Sequence, residues 1–394
     1  MTEAKDMLDS VKGIIRRESG PLKADPRIVE MLDWAKIYGP LAQAEDALAR
    51  LDERLRSSPI RKGWIERSHF IDACASLWLE GDLAHLEDLV LHDGRMDIRA
   101  PTAELVRATR VLAARRRILA ATPGWALSAE GLAALRGGAF SPAGEGSADE
   151  LTDGDDSEGQ GAFDYDLDGD SGDPLAAELA ALDAALLRTE RALERKPAVD
   201  REERDPLVYD LDWDEDQRLA QWREAVDYAA GLPPVLAAAL TAAFWDDIEP
   251  LQHTPWLGRL FAAALLRERG KTRVHLLCVN SGARAVPRLR LKAVDPVSKI
   301  LFWLAAIVSA AEQGLRDHDR WLLARASREA GLKGRRGNSH LPQALDLALA
   351  RPIVTAELFA KELKVSARAG QNLIAELGLR ELTGRRRYRA WGIL

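Results

Sequence analysis

Nine lysines and arginines face four acidic residues between Arg351 and Leu394, a net +5 at the end of a chain of net −7. Arg385, Arg386, Arg387 and Arg389 crowd one short stretch of it. Arg368, Gln371 and Asn372 sit upstream at three- and four-residue spacing. A guanidinium grips phosphate as a two-pronged fork, and Arg, Gln and Asn match the hydrogen-bonding edges of bases in a major groove. The chemistry on offer is recognition of double-stranded DNA. Other groupings offer less. Asp317, His318 and Asp319 are consecutive, so on a helix they point in different directions. His85, Asp88 and His92 form a sparse set that chance produces often. Cys74 and Cys278 lie too far apart for a thiolate zinc site. No Walker loop, GxSxG elbow or HExxH pair occurs, so no metal and no cofactor is implied.

The elements that must position these side chains follow from the local sequence. Thr355 is placed to cap a helix over Ala356–Leu363 with Leu358, Phe359 and Leu363 on its apolar face. Lys364-Val365-Ser366 makes a turn, and Ser366 caps a second helix over Ala367–Leu377. That helix buries Leu373, Ile374 and Leu377 and leaves Arg368, Gln371, Asn372 and Glu376 outward. Leu379–Thr383 and Arg387–Ile393 read as a hairpin turning at Gly384-Arg385. The sum is a winged helix-turn-helix over 351–394. Ser366, Arg368, Gln371 and Asn372 are its groove-side candidates, and Arg385, Arg386, Arg387 and Arg389 its phosphate contacts.

The remainder predicts a mostly α protein. Residues 1–140 read as an Ala-, Leu- and Arg-rich helical region: Arg27–Tyr38, Leu41–Arg56, Gly63–Gly81, Ala84–His92 and a Thr102-capped helix to Ala121. The run Arg115–Arg117 reads as a solvated face. Residues 141–174 hold twelve Asp/Glu and no Lys or Arg among Gly and Ser, the composition of a disordered linker. Removing those twelve charges from a net −7 leaves the rest of the chain at +5. Residues 175–350 resume as helices: an Asp173-capped one to Arg195, then a pair separated by Gly231-Leu232-Pro233-Pro234. Others follow over Pro255–Gly270 and Val297–Gln313, the latter preceding a polar helix containing Trp321. Trp34, Trp222 and Trp245 are assigned to the core. The apolar runs are too short to span a bilayer, and MTEAKDMLDSVKG lacks a secretion signal's apolar run; with two cysteines, a reducing cytoplasm is expected.

Two motifs carry a family resemblance. Ser76-Leu-Trp-Leu-Glu80-Gly81 matches the [S/T]xxxE[G/N] inhibitory-helix motif of Fic proteins, which transfer AMP from ATP to hydroxyl side chains. His253-Thr-Pro-Trp256-Leu-Gly258-Arg259 is the nearest stretch to their HxFx[D/E]GNGRxxR loop, without its acidic residue and Gly-Asn-Gly nest. The resemblance implies a Fic-like helical bundle in which Glu80 faces Arg259. Loss of the nest removes the phosphate cradle, so His253 is at most a weak catalytic candidate. PWLGRLFAAALL, HDRWLLA and ELGLRELTGRRRYRAWGIL also resemble an uncharacterised bacterial family that places a domain of unknown function before a helix-turn-helix.

The reading is a DNA-binding transcriptional regulator with a catalytically degenerate Fic-like body, able to form a homodimer and free of membrane association. The alternatives are an antitoxin-like protein-interaction module and a divergent AMP- or phosphate-group transferase using His253. The acidic tract suggests an intramolecular competitor for DNA. Deletion of 144–173 is expected to tighten DNA binding at low salt in an anisotropy titration, and unchanged affinity would remove that role.

Overall fold

Leu, Ala and Trp recur at helical spacing along most of this chain, and helices are what form. The computed structural model describes residues 32–96, 100–137, 213–287, 295–332, 340–384 and 389–392. The acidic tract and the Asp173-capped helix lie outside the described residues.

The helices before the tract are α1 (Trp34–Arg56), α2 (Arg61–Glu80), α3 (Leu86–Asp93), α4 (Ala103–Ala120) and α5 (Ala129–Arg136). After it come α6 (Glu215–Tyr228), α7 (Pro234–Ile248), α8 (Leu257–Glu268), α9 (Val279–Ala285) and α10 (Pro296–Leu332). Both sets belong to one unit with a shared core. Its helix α7 is buried from Val235 through Trp245, with apolar residues around nearly its whole circumference, which fits burial all round. Against it Trp222 of α6 meets Trp245 edge-on at 5.0 Å, and Phe261 of α8 closes the cluster at 5.0 and 5.4 Å from the two rings. Pro234 opens α7 in its first turn, where a missing N–H costs nothing. Thr102 caps α4 by accepting from the Leu105 N–H at 3.3 Å, and Gly81 ends α2 in a left-handed conformation.

Four readings of the sequence are corrected. The two helices expected over 27–38 and 41–56 are, within the described residues, one helix running through Pro40. Ile37, Leu41, Ala44, Leu48, Leu51 and Leu55 bury one continuous stripe, and that packing outweighs the single hydrogen bond a proline removes. The buried helix over 297–313 and the polar one after it are likewise a single 37-residue helix, α10. Its surroundings change along its length, while its backbone has no reason to break. Between the helices expected over Pro255–Gly270 and Val297–Gln313, where the sequence reading placed no helix, the chain forms the short helix α9.

The fourth correction concerns charge. Arg115 is not solvated; it is fully buried. It is bonded to the equally buried Asp72 and donates to the Leu276 carbonyl at 3.0 Å. Asp72 also accepts from the Asn280 amide at 2.8 Å and the Ser281 N–H at 2.9 Å, which fills the carboxylate's remaining capacity, while the Arg115 Nε has no hydrogen-bond partner among the described residues. Arg116 lies between Asp93 and Glu66, at 2.6 and 3.3 Å. A charge run is legible in sequence, but the direction each member points is set by which neighbour fills the space beside it.

Two buried histidines make the core sensitive to acid. Burial pushes His275 down to about 4, assisted by Arg115 and opposed by Asp52, and holds His69 well below its ordinary value. Unfolded imidazoles take up protons near pH 6.5, so between about 6.5 and 4 the unfolded chain binds more protons than the folded one. Stability is undiminished by this effect above 6.5 and falls as pH drops through that window. Urea midpoints between pH 7 and 4.5 are expected to show this fall, with a shallower dependence in His275→Gln whatever that variant's absolute stability.

Candidate nucleic-acid interface

The C-terminal region begins one helix earlier than position 351. Leu341–Ala350 forms α11, followed by β1 (Ile353–Val354), α12 (Ala356–Leu363), α13 (Ala367–Glu376), β2 (Arg380–Glu381) and β3 (Trp391–Gly392). The strands make an antiparallel sheet in the order β1-β3-β2. The sequence showed the hairpin but not β1, which is two residues long and carries no alternation to read. A second small core joins Leu345 and Leu349 of α11, Val354, Phe359, Leu373, Ile374 and Leu377.

Local chemistry sets the angle between α12 and α13. Thr355 Oγ1 accepts from the Leu358 N–H at 3.0 Å, and Ser366 Oγ accepts from the Ala369 N–H at 3.2 Å. Lys364 turns the chain in a left-handed conformation (φ 54°), and Val365 N–H returns to the Ala360 carbonyl at 3.1 Å. The helices then cross at Gly370, where a Cβ would lie 2.6 Å from the Ala356 carbonyl oxygen. Any larger residue there forces them apart.

This leaves Arg368, Gln371 and Asn372 exposed on one side of α13, with Leu373 and Ile374 buried on the other. Ser366 is exposed too, with its hydroxyl engaged as the cap. Arg389 lies beside Glu381 and 5.0 Å from the Trp391 ring centroid. Arg385, Arg386 and Arg387 lie outside the described residues.

The body fixes this region through side chains that sequence reasoning did not select. Arg67 of α2, 4% exposed, donates to the Leu349 carbonyl at 2.6 Å, the Ala348 carbonyl at 3.2 Å and the Arg351 carbonyl at 2.9 Å. Those oxygens end α11, where the helix dipole is negative and favours a cation. Its guanidinium lies 4.5 Å from the Trp321 ring centroid. Burial lowers Arg67 to about 10, which leaves it charged at neutral pH. The approach is close because position 63 is glycine: a Cβ there would sit 1.7 Å from the Leu349 oxygen. Arg328 of α10 donates to the Leu377 and Gly378 carbonyls at the end of α13, and Arg325 pairs with Asp346 of α11 at 2.9 Å. On the sheet, Ile353 packs at Gly94, just after α3. The available signal for Arg67 was its place on the apolar stripe of Trp64, Phe70 and Ile71.

The body's own polar centre brings Glu80 and Arg259 together at 2.9 Å, with Ser76 Oγ at 3.4 Å and Asn280 against the Arg259 Nε. Burial raises Glu80 above its ordinary range against the pull of Arg259, and lifts Asp246 to about 7. Gly258 packs beneath the Trp245 ring, which gives this glycine a packing role. His253 is exposed in the turn before α8. No described helix is long and apolar enough to cross a membrane.

Comparison with known proteins agrees with the fold. Residues 341–394 match the family described as a helix-turn-helix DNA-binding domain, which places the C-terminal region in that class. Residues 207–333 match a family described as a protein of unknown function (DUF1612). The chain is 44% identical over 368 residues to the uncharacterized protein y4cF of Sinorhizobium fredii, covering 90% of this chain and 96% of that one. It belongs to the family of that relative, with the DUF1612 region followed here by the helix-turn-helix domain.

Arg67→Met is expected to destabilise the protein by about 3 kcal/mol in urea unfolding, because it strands several buried carbonyls at once. Arg67→Lys is expected to restore only part, since an ammonium group cannot span all of them.

Proposed function

We propose that this protein binds specific double-stranded DNA through α13 and the wing, and acts in the cytoplasm as a transcriptional regulator. The observation that carries the reading is the exposed set Arg368, Gln371 and Asn372. These types read base edges, and they lie on the solvent side of a capped helix whose other side is buried. Arg385, Arg386 and Arg387 take the backbone contacts, which position the domain without carrying sequence information, with Arg389 a further candidate for one. Binding as a homodimer to a two-fold site would double the contact length and suits a single short recognition helix.

The body is read as a degenerate Fic-like bundle that supports the DNA-binding region and has no transferase activity. The Glu80–Arg259 pair supports the likeness and serves as a structural salt bridge. The stretch from His253 to Gly258 has no Gly-Asn-Gly nest to hold phosphates, so phosphate charge in a transfer reaction would have no cradle.

Two variants separate the roles. Arg386→Ala with Arg387→Ala is expected to weaken binding to all duplexes alike and to lower the salt slope by about 0.9 per lost phosphate contact. Gln371→Ala is expected to relax discrimination at one base pair, by about 1–3 kcal/mol, with the slope unchanged. Equal losses from both on selected and random duplexes, measured by anisotropy, would reject this division.

A further inference from the structure

Four arginines of the helix-turn-helix region lie among the described residues: Arg351, Arg368, Arg380 and Arg389. Three face a carboxylate. Arg351 meets Glu362 at 3.1 Å, and Arg380 meets Glu87 of α3 at 3.5 Å. The third pair has the tightest geometry. Arg389 Nε donates to one oxygen of Glu381 at 2.8 Å and its Nη2 to the other, while the guanidinium lies over Trp391. Among the described residues, Arg368 is the arginine of this region that no carboxylate holds.

We propose that Glu381 restrains DNA affinity: in the DNA-free protein it occupies the fork on Arg389 that a backbone phosphate would take, and so limits sequence-independent binding by the wing. This rests on the DNA-binding reading above. A carboxylate and a phosphate both present two oxygens to the same guanidinium edge, so the two compete for one site. With Glu381 in place the pair adds no net positive charge, and a nearby phosphate keeps its own condensed cation. The hydrogen bonds from Arg389 hold Glu381 below the usual carboxylate range, so it stays ionised at neutral pH. Arg368, Gln371 and Asn372 are untouched by this exchange. The pair therefore lowers affinity for selected and random DNA alike without weakening base readout. The other role open to Glu381, aiming Arg389 at the DNA, would act in the opposite direction.

The test is a double-mutant cycle in the full-length protein: wild type, Glu381→Gln, Arg389→Ala and the double variant. Anisotropy is read against a random duplex and against genomic fragments enriched by the wild type, from 50 to 200 mM salt. For the random duplex, Glu381→Gln is expected to steepen the salt slope by about 0.9, which makes the affinity gain at the low-salt end about threefold larger. The ratio of selected to random affinity is expected to stay unchanged, because the freed contact is to the backbone. Arg389→Ala is expected to change the slope little on its own and to cancel the gain in the double variant. Weaker binding by Glu381→Gln, an unchanged slope, or a gain that survives Arg389→Ala would overturn the proposal. Absence of salt-dependent DNA affinity in both wild type and Glu381→Gln would instead remove the DNA-binding reading, and this inference with it.

Discussion

Arg67 is the constraint on which the arrangement of this molecule depends. One buried guanidinium terminates α11, lies against Trp321 of the longest helix, and belongs to the α2 helix that also carries Asp72, Ser76 and Glu80. A charge placed there without acceptors would be expelled, so the carbonyls at the end of α11 must come to it. The DNA-binding region is consequently seated on the body by its backbone, and Gly63 permits the distance. Arg328 repeats the device at the end of α13. In both cases a cation from the body satisfies oxygens that a helix end leaves unpaired, which docks an element without demanding a particular side chain from it.

Buried charge elsewhere in the body is held in a similar way. The pair of Asp72 and Arg115 sits inside the core with Asn280, Ser281 and the Leu276 carbonyl taking up most of its remaining hydrogen-bonding capacity, the Arg115 Nε alone of that group staying without a partner among the described residues. Glu80 and Arg259 form a second centre that shares Asn280 with the first. Together these contacts tie α2 to α4, α8 and α9.

What the sequence disclosed was local. Thr102, Thr355 and Ser366 cap the helices their positions predict, because a cap needs only the next three residues. The exposed side of α13 was legible for a similar reason: Leu373, Ile374 and Leu377 define the buried side by spacing. Long-range contacts were not legible. Nothing near Arg115 in the chain announces Asp72, and nothing near Arg67 announces Leu349. Pro40 and the polar shift near Gln313 looked like breaks because the packing partners that carry helices through them are distant in sequence. The strand β1 is held by β3 alone in the sheet, a partner nearly forty residues downstream.

On the reading proposed above, α13 meets DNA with a surface that the other described residues leave exposed. The most direct measurement is selection of genomic duplex fragments by the full-length protein, compared with Arg368→Ala, Gln371→Ala and Asn372→Ala combined. All three positions are exposed, so melting temperature should be preserved. The account predicts that the wild type enriches a discrete sequence and that the triple variant binds without enriching it. Equal enrichment by both proteins, or selection of no sequence by the wild type, would contradict it.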